Sequence, residues 1–536
     1  MALTRDLAYP TRNAADPARC FSVREALVQD GLYNGSQEAR SDHEGASVAA
    51  RWRIAPAPFM LSPEDVVFFR SLGDHLLAFY RALNRLYLDS VRGAQPAWVA
   101  AYLDQGKPES LITYSRMKRF RDLLPGVIRP DIIPTDESLP GHRMVITELD
   151  SVPGGIGLTG ALGRTYAQAE RDTSHEPRAA RPGTEESASE QQSAPVQISR
   201  ASCPEPRAPC LVPRFEIVGG SDGMVRGFAA MLRAQLGDRP GCVAIIVSDE
   251  AKDYRPEMQW MAARLRSAGL EAYCVEPRDI RFTEEALLIG SEAGDRPVSV
   301  VYRFFELFDL KNIPKSELIM YSAKKDRAFV TPPFKPALEE KLAFALFHHP
   351  VLTPFWMKEL GEESYGLLAD LLPRTWILDP RPLPPSAVIP GLRLAGRAVA
   401  DWRELVGASQ KDRQYAVKPS GFSELAWGSR GVSVGHDLPQ TEWAEALDKA
   451  LASFPTTPYV LQEFHKGRQY TLSYYDESAN EIVPMAGRAR LSPYYFVTGE
   501  RAELGGVLAT VCPLDKKLIH GMQDAIMVPC AVAPGA

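Results

Sequence analysis

Four charged side chains in two short apolar stretches carry the most chemistry in this sequence. Arg129-Pro-Asp131 is flanked by Ile128, Ile132 and Ile133, while Glu148-Leu-Asp150 follows Val145, Ile146 and Thr147 and runs into Ser151-Val-Pro-Gly154-Gly155. Both stretches read as β-strands joined by a turn. Side chains two apart on a strand share a face, roughly 6–7 Å apart at about 3.3 Å per residue. Glu148 and Asp150 therefore point one way, and Arg129 and Asp131 share a face of the partner strand. Three carboxylates and one guanidinium on matching faces are costly to bury without a compensating cation. Magnesium bridging a polyphosphate suits them, being a hard ion that prefers oxygen and takes one or two protein carboxylates.

The elements that must hold this hairpin are legible on both sides of it. Residues 61–125 read as helical: Ser62-Pro-Glu-Asp is a cap followed by proline, then Val66, Phe69, Leu72, Leu76, Phe79 and Leu83 recur at helical spacing. A second helix runs through Trp98 and Leu103, and after the hairpin a third covers Leu158–Ala169. From 171 to 212 the chain turns polar and rich in Pro, Ser and Glu, a composition that buries too little apolar surface to offset ordering entropy, so disorder is expected there. Residues 241–305 alternate strand and helix. Cys242-Val-Ala-Ile-Ile-Val, Glu271–Glu276 and Val298–Phe305 are strands, and a helix Glu257–Ala268 stops at Gly269, which predicts a small parallel sheet. A helix is expected over Ala337–Phe347. Gln414–Lys418 is a strand feeding a glycine-containing loop 419–431, Val432–Val434 is its return, and Tyr459–Phe464 and Tyr470–Tyr474 are further strands.

Bulk properties narrow the class. A chain of 536 residues suggests two to four domains, and 45% hydrophobic with 24% charged residues is ordinary for a globular protein. A net charge of -6 points away from nucleic acid and anionic membranes as partners. The seven cysteines are scattered with no CxxC pair, no run reaches membrane-spanning length, and the N-terminal residues lack a signal-like apolar core. A cytoplasmic protein is expected, with its subunit number left open.

Other residues suggest anion chemistry. Lys418, at a strand end before the loop 419–431, is placed to hold phosphate oxygens under a closing lid. Tyr459–Phe464 would suit an adenine pocket, and Arg488 and Arg490 could anchor an anionic substrate. His348-His349 point to different sides of a helix, which argues against a metal role. Gly155-Ile-Gly157-Leu-Thr-Gly160 fits a dinucleotide-binding turn, but Glu148 and Asp150 just before it would repel a pyrophosphate.

In their order along the chain, these elements resemble ATP-grasp ligases of the glutathionylspermidine synthetase and eukaryotic glutathione synthetase type, over most of residues 60–510 apart from the insert. The family pairs an Arg-x-Asp strand with a Glu-x-Asn strand, as Arg129-Pro-Asp131 and Glu148-Leu-Asp150 are paired here, with aspartate at the usual asparagine. The resemblance implies an α/β (α+β) ATP-grasp fold with an inserted small parallel-sheet substrate domain and an N-terminal helical region. It divides the chain into an extension (1–60), a helical region with the metal hairpin (61–170), the insert (171–212), the substrate-type domain (213–330) and the nucleotide-binding portion (331–536). It implies magnesium on Glu148 and Asp150, with Asp131 and Glu424 as further ligands. Glu424 lies six residues after Lys418, where the family's acidic ligand follows closely. It further implies ATP held by Lys341, Lys418, Gly421 and a hinge strand of Gln462, Glu463 and Phe464. Arg129 would act in catalysis, and Ser151, Gly154 and Gly155 would form a substrate loop. The expected activity is amide formation between a small carboxylate and an amine through an acyl phosphate. The alternatives are a decayed nucleotide-binding relative and, from the glycine turn, a dinucleotide-dependent oxidoreductase.

Overall fold

The computed structural model describes residues 17–33, 52–136, 144–173, 215–291, 294–516, 518–520 and 524–534. Except for residues 171–173, the stretch expected to be disordered therefore lies outside the described residues.

Three sheets organise the chain. The largest has eight strands, ordered Phe59–Leu61, Ile526–Val532, Arg501–Pro513, Glu481–Thr498, Val127–Pro134 and Met144–Asp150; Gln469–Asp476 extends the same edge of Glu481–Thr498, and Glu216–Ile217 pairs with Ile526–Val532. The charged hairpin is the edge of this sheet. Its register sets Arg129 opposite Asp150 and Asp131 opposite Glu148, with an irregularity after Asp131. The helix Pro63–Val91 packs beside the sheet. Ser62 caps it, accepting from the Asp65 amide while the Asp65 carboxylate takes the Ser62 amide.

The inserted sheet has the expected parallel core. Cys242–Val247 lies between Ala272–Val275 and Gly294–Phe304, with Phe329–Thr331 also parallel to the latter. All six residues of Cys242–Val247 are buried, as a parallel strand covered on both faces requires. Alternate residues divide between two cores: Val243, Ile245 and Val247 join the main one, and Cys242, Ala244 and Ile246 a second. The sheet is mixed rather than purely parallel, because Leu287–Ser291 and Arg281–Phe282 add an antiparallel hairpin. Ser291 pairs with Gly294, and so short a connection leaves no room for a crossover.

The third sheet, Thr375–Ile377, Tyr459–Glu463, Tyr415–Pro419 and Ser433–Val434, is antiparallel throughout and has its own core around Val417, Trp443, Leu447 and Leu461. The helix expected over 337–347 is shorter than its apolar pattern suggests. A 3-10 turn, Pro336–Leu338, comes first, and the helix covers only Leu342–Phe347, with Lys341 at its N-cap and Glu339 and Glu340 between the two. Arg488 and Arg490 stand within the long strand Glu481–Thr498, not at a strand end. No helix among the described residues is long and apolar enough to cross a membrane.

Candidate functional site

The hairpin, the inserted sheet and the third sheet surround one cavity of about 2220 Å³, and every site residue expected from the sequence lines it. At its floor Arg129 is shared: Nε lies 3.1 Å from Asp131 Oδ1, Nη2 lies 3.0 Å from Asp150 Oδ2, and Nη1 donates to the Gly154 carbonyl at 3.2 Å. Asp131 is further engaged by Arg490 Nη1 at 3.1 Å and by the Ser492 hydroxyl at 3.1 Å. Burial pushes the Asp131 carboxyl up, but the two guanidiniums and the hydroxyl outweigh it and hold the group below the usual carboxylate range.

Asp150 behaves oppositely. Burial raises it, Arg129 opposes, and the negative charge of Glu148 adds to the rise. Glu306, at the end of the inserted sheet's central strand, is pushed to about 8 by burial together with Asp150 and Glu339. Burial leads both shifts and neighbouring carboxylates add to them, so the acidic groups of Glu148, Asp150, Glu306 and Glu339 lie close together along one wall of the cavity. Such a wall of hard carboxylate oxygens fits a divalent cation. Among the described residues no three His, Cys, Asp or Glu side chains gather as a metal group, and Glu424 is exposed on its 3-10 turn.

Two lysines reach the hairpin from distant sequence. Lys341 Nζ is ion-paired with Glu148. Lys418 Nζ donates to the Thr147 carbonyl at 3.2 Å and to Gln462 Oε1 at 2.6 Å. Burial lowers the Lys418 ammonium to about 8, a pull that Glu148 resists and Lys341 reinforces. Gln462 is itself oriented by donating to Thr375 Oγ1 at 3.3 Å. Beside it, the Phe464 ring lies 4.5 Å from the His436 ring, and Glu463 and Phe464 line the same end of the third sheet as Ala416 and Val434.

The glycine turn after the hairpin is fixed from several sides. The Gly154 carbonyl accepts from Tyr494 Oη at 2.7 Å as well as from Arg129. Gly155 has φ +90°, a conformation side chains disfavour. Its amide donates to Glu257 Oε1 at 2.7 Å, and the Leu158 amide donates to Glu257 Oε2 at 2.9 Å. Ser151 is buried, and its hydroxyl has no hydrogen-bond partner among the described residues. A dinucleotide turn needs the amides that Glu257 holds here, and the strand before this turn belongs to an antiparallel hairpin instead of a βαβ unit. Arg488 donates to the Leu514 carbonyl at 3.2 Å and lines the cavity with Arg490. The adjacent histidines serve structure: His348 Nε2 lies 2.8 Å from the Leu372 carbonyl, and His349 packs on Trp98.

Sequence reading missed Tyr254, Glu257, Glu306, Glu339 and Tyr494, all of which line the cavity. Glu306 had a usable signal, since Phe304-Phe-Glu306 ends a parallel strand and ligands of open α/β sheets gather at such ends.

No known family description and no curated protein matches the chain. A solved structure of a glutathione synthetase-like effector from Globodera pallida superposes with a TM-score of 0.53 at 9% identity, covering 96% of each chain. A candidate gamma-glutamylcysteine synthetase from Methylobacillus flagellatus KT aligns over 87% of this chain and 86% of its own, at 10% identity and a TM-score of 0.35. By its sheets, their order and the first of these superpositions, the chain has a glutathione synthetase-like ATP-grasp fold.

Proposed function

We propose that this protein is an ATP- and magnesium-dependent ligase that joins a small carboxylate to an amine. One observation carries the reading: Lys418 contacts the hairpin strand beside Glu148, and Lys341 pairs with Glu148 itself, so groups about 270 residues apart in sequence meet around one cavity. Acidic side chains facing two lysines suit a metal-bound triphosphate.

In this reading Glu148 and Asp150 would hold the metal, which would supply positive charge to offset that of the triphosphate. Asp131 instead fixes Arg129 and Arg490, with both of which it is ion-paired. Lys341 and Lys418 neutralise phosphate oxygens, and the adenine rests against Gln462, Glu463 and Phe464. Arg488, Arg490 and the loop Ser151–Gly155 orient the acid. The substrate carboxylate attacks the γ-phosphorus, ADP leaves, and the amine displaces phosphate from the acyl phosphate to give an amide. Arg129 faces the charge that develops at each displacement, and nearly all of the acceleration comes from positioning and electrostatics.

A thermal-shift screen with nucleotides, each with and without magnesium, should raise the melting temperature for ATP or ADP with magnesium, since a ligand bound only by the native state stabilises it. ADP release over a panel of acids and amines then identifies turnover. Glu148→Ala and Lys418→Ala should each cut that turnover about 100–1,000-fold while leaving the circular dichroism spectrum unchanged. Full activity in either variant rejects the site. Nucleotide binding without ADP release across the panel would favour the decayed relative, a reading motivated by Asp150 and by the exposed Glu424.

A further inference from the structure

Three consecutive side chains, Glu339, Glu340 and Lys341, each go to a different part of the molecule. Glu339 pairs with Arg303, a fully buried residue of the inserted sheet. Lys341 pairs with Glu148 of the hairpin. Glu340 turns the third way and pairs with Lys107, from the turn between the helices Ala97–Asp104 and Glu109–Ser115; neither side chain has any exposed surface. Glu340 also accepts from the Ser420 hydroxyl at 2.6 Å and from the Gly421 amide at 3.3 Å.

We propose that Glu340, held by Lys107, is a positioning residue that fixes the base of the 419–431 loop for nucleotide binding. The proposal rests on the nucleotide reading of this cavity. An ion pair buried without solvent is commonly no more stable than an apolar pair of similar size, so its use here points to geometry. The geometry is tight. Gly421 lies so close to the Glu339 carbonyl that a Cβ would collide with it. Ser420 is buried, its hydroxyl also receives the Phe422 amide at 3.2 Å, and the Phe422 ring centroid is 5.6 Å from the Lys107 ammonium. Residues 420 and 421 thus belong to the rigid frame that carries Lys341 and Lys418, and any closing movement of the loop begins after them. Glu340 needs no contact with the nucleotide; it keeps Lys341, beside it in the chain, and Lys418, two residues before Ser420, at a fixed separation.

The test compares two double variants in the full chain. Lys107→Met/Glu340→Gln removes both charges but keeps one oxygen that can accept from the Ser420 hydroxyl, whereas Lys107→Met/Glu340→Leu removes the acceptor as well. Ser420→Ala, which keeps the ion pair, is a milder third variant should either double variant fail to fold. Hydrogen exchange of the nucleotide-free proteins should show residues 420–422 exchanging about tenfold faster in the Leu variant, with the Gln variant close to the unmodified protein. Titration with Mg-ATP should show affinity about tenfold weaker for the Leu variant and within about threefold for the Gln variant. Ser420→Ala should fall between them. Unchanged exchange in the Leu variant and in Ser420→Ala would overturn the clamp. Faster exchange with unaltered Mg-ATP affinity, or equal losses in the Gln and Leu variants, would overturn its positioning role. Absence of Mg-ATP binding by the unmodified protein would instead sink the nucleotide reading on which the proposal rests.

Discussion

The charged groups of this cavity fall into two regions that share the guanidinium of Arg129. On one side Asp131 is almost fully buried between Arg129, Arg490 and Ser492, and its carboxyl stays below the usual range. On the other side Asp150 is ion-paired with Arg129 alone among the described residues, faces Glu148 and Glu306, and is raised. The lysines divide in the same way. Lys341 is compensated by Glu148, which, with Asp150, outweighs burial and raises it. Among the described residues Lys418 has only neutral acceptors as direct partners, and burial lowers it. Compensation is closest around Asp131 and Lys341 and weakest at Asp150 and Lys418, although all four line the same cavity. This difference cuts across residue type, since an aspartate and a lysine stand on each side.

The largest expected effect tests the compensated side. Asp131→Ala leaves Arg490 and part of Arg129 without a counter-charge in a buried place, which typically costs about 3–5 kcal/mol. Asp150→Ala removes a quarter-exposed carboxylate from a like-charged cluster and should cost about 1 kcal/mol or less. Chemical denaturation of both variants measures the two changes. Equal losses would break the comparison.

What the sequence revealed follows the same physical line. The hairpin and the Tyr415–Pro419 strand were readable because strand periodicity is local: each needs only five to eight residues to declare its faces. The strands Glu481–Thr498, Arg501–Pro513 and Ile526–Val532 were not read as the heart of the main sheet, partly because Pro484 and Pro493 argue against a central strand. The structure resolves that conflict: pairing with Val127–Pro134 passes from Leu491 to Tyr495, and Pro493 falls in the gap while keeping its place opposite Val507 on the other side. The cavity residues that went unread depend on partners far away in the chain. Glu257 has the character of an ordinary helix-start glutamate until it meets the Gly155 amide, 102 residues earlier. Glu340 reads as a solvated helix residue until Lys107, 233 residues away, buries it.

On the under-compensated side, Lys418 gives a pH prediction of intermediate size. Its ammonium is lowered to about 8 in the free protein, so it is charged below that pH and neutral above it. A phosphate beside it favours the charged form, so nucleotide binding above pH 8 must take up a proton. Affinity for Mg-ADP should therefore be flat below about pH 7 and weaken by about tenfold by pH 9. Calorimetry at pH 7, 8 and 9 in buffers of different ionisation enthalpy reads both the affinity and the proton. Lys418→Arg should flatten the profile, because arginine stays charged throughout. A flat profile in the unmodified protein would remove Lys418 from the phosphate site.

The smallest effect comes from Asp150→Asn, which introduces the side chain usual in the resembled family and sharpens the comparison most finely. The amide keeps an oxygen that can accept from the Val152 amide, as Asp150 Oδ1 does at 2.8 Å. It loses the charge that raises Glu306, so Glu306 should titrate at lower pH than before, while Asp131 keeps its two arginines and its stability contribution. Unfolding free energy should change by no more than about 1 kcal/mol. The magnesium concentration giving half-maximal nucleotide binding should rise a few-fold, because one of two charged oxygen donors becomes neutral. Asp131→Asn, made in parallel, should lower stability by more than Asp150→Asn and leave that magnesium concentration nearly unchanged. If the two asparagine variants shift the magnesium requirement alike, then both carboxylates face the metal, and the division of the hairpin into a structural and a binding aspartate is wrong.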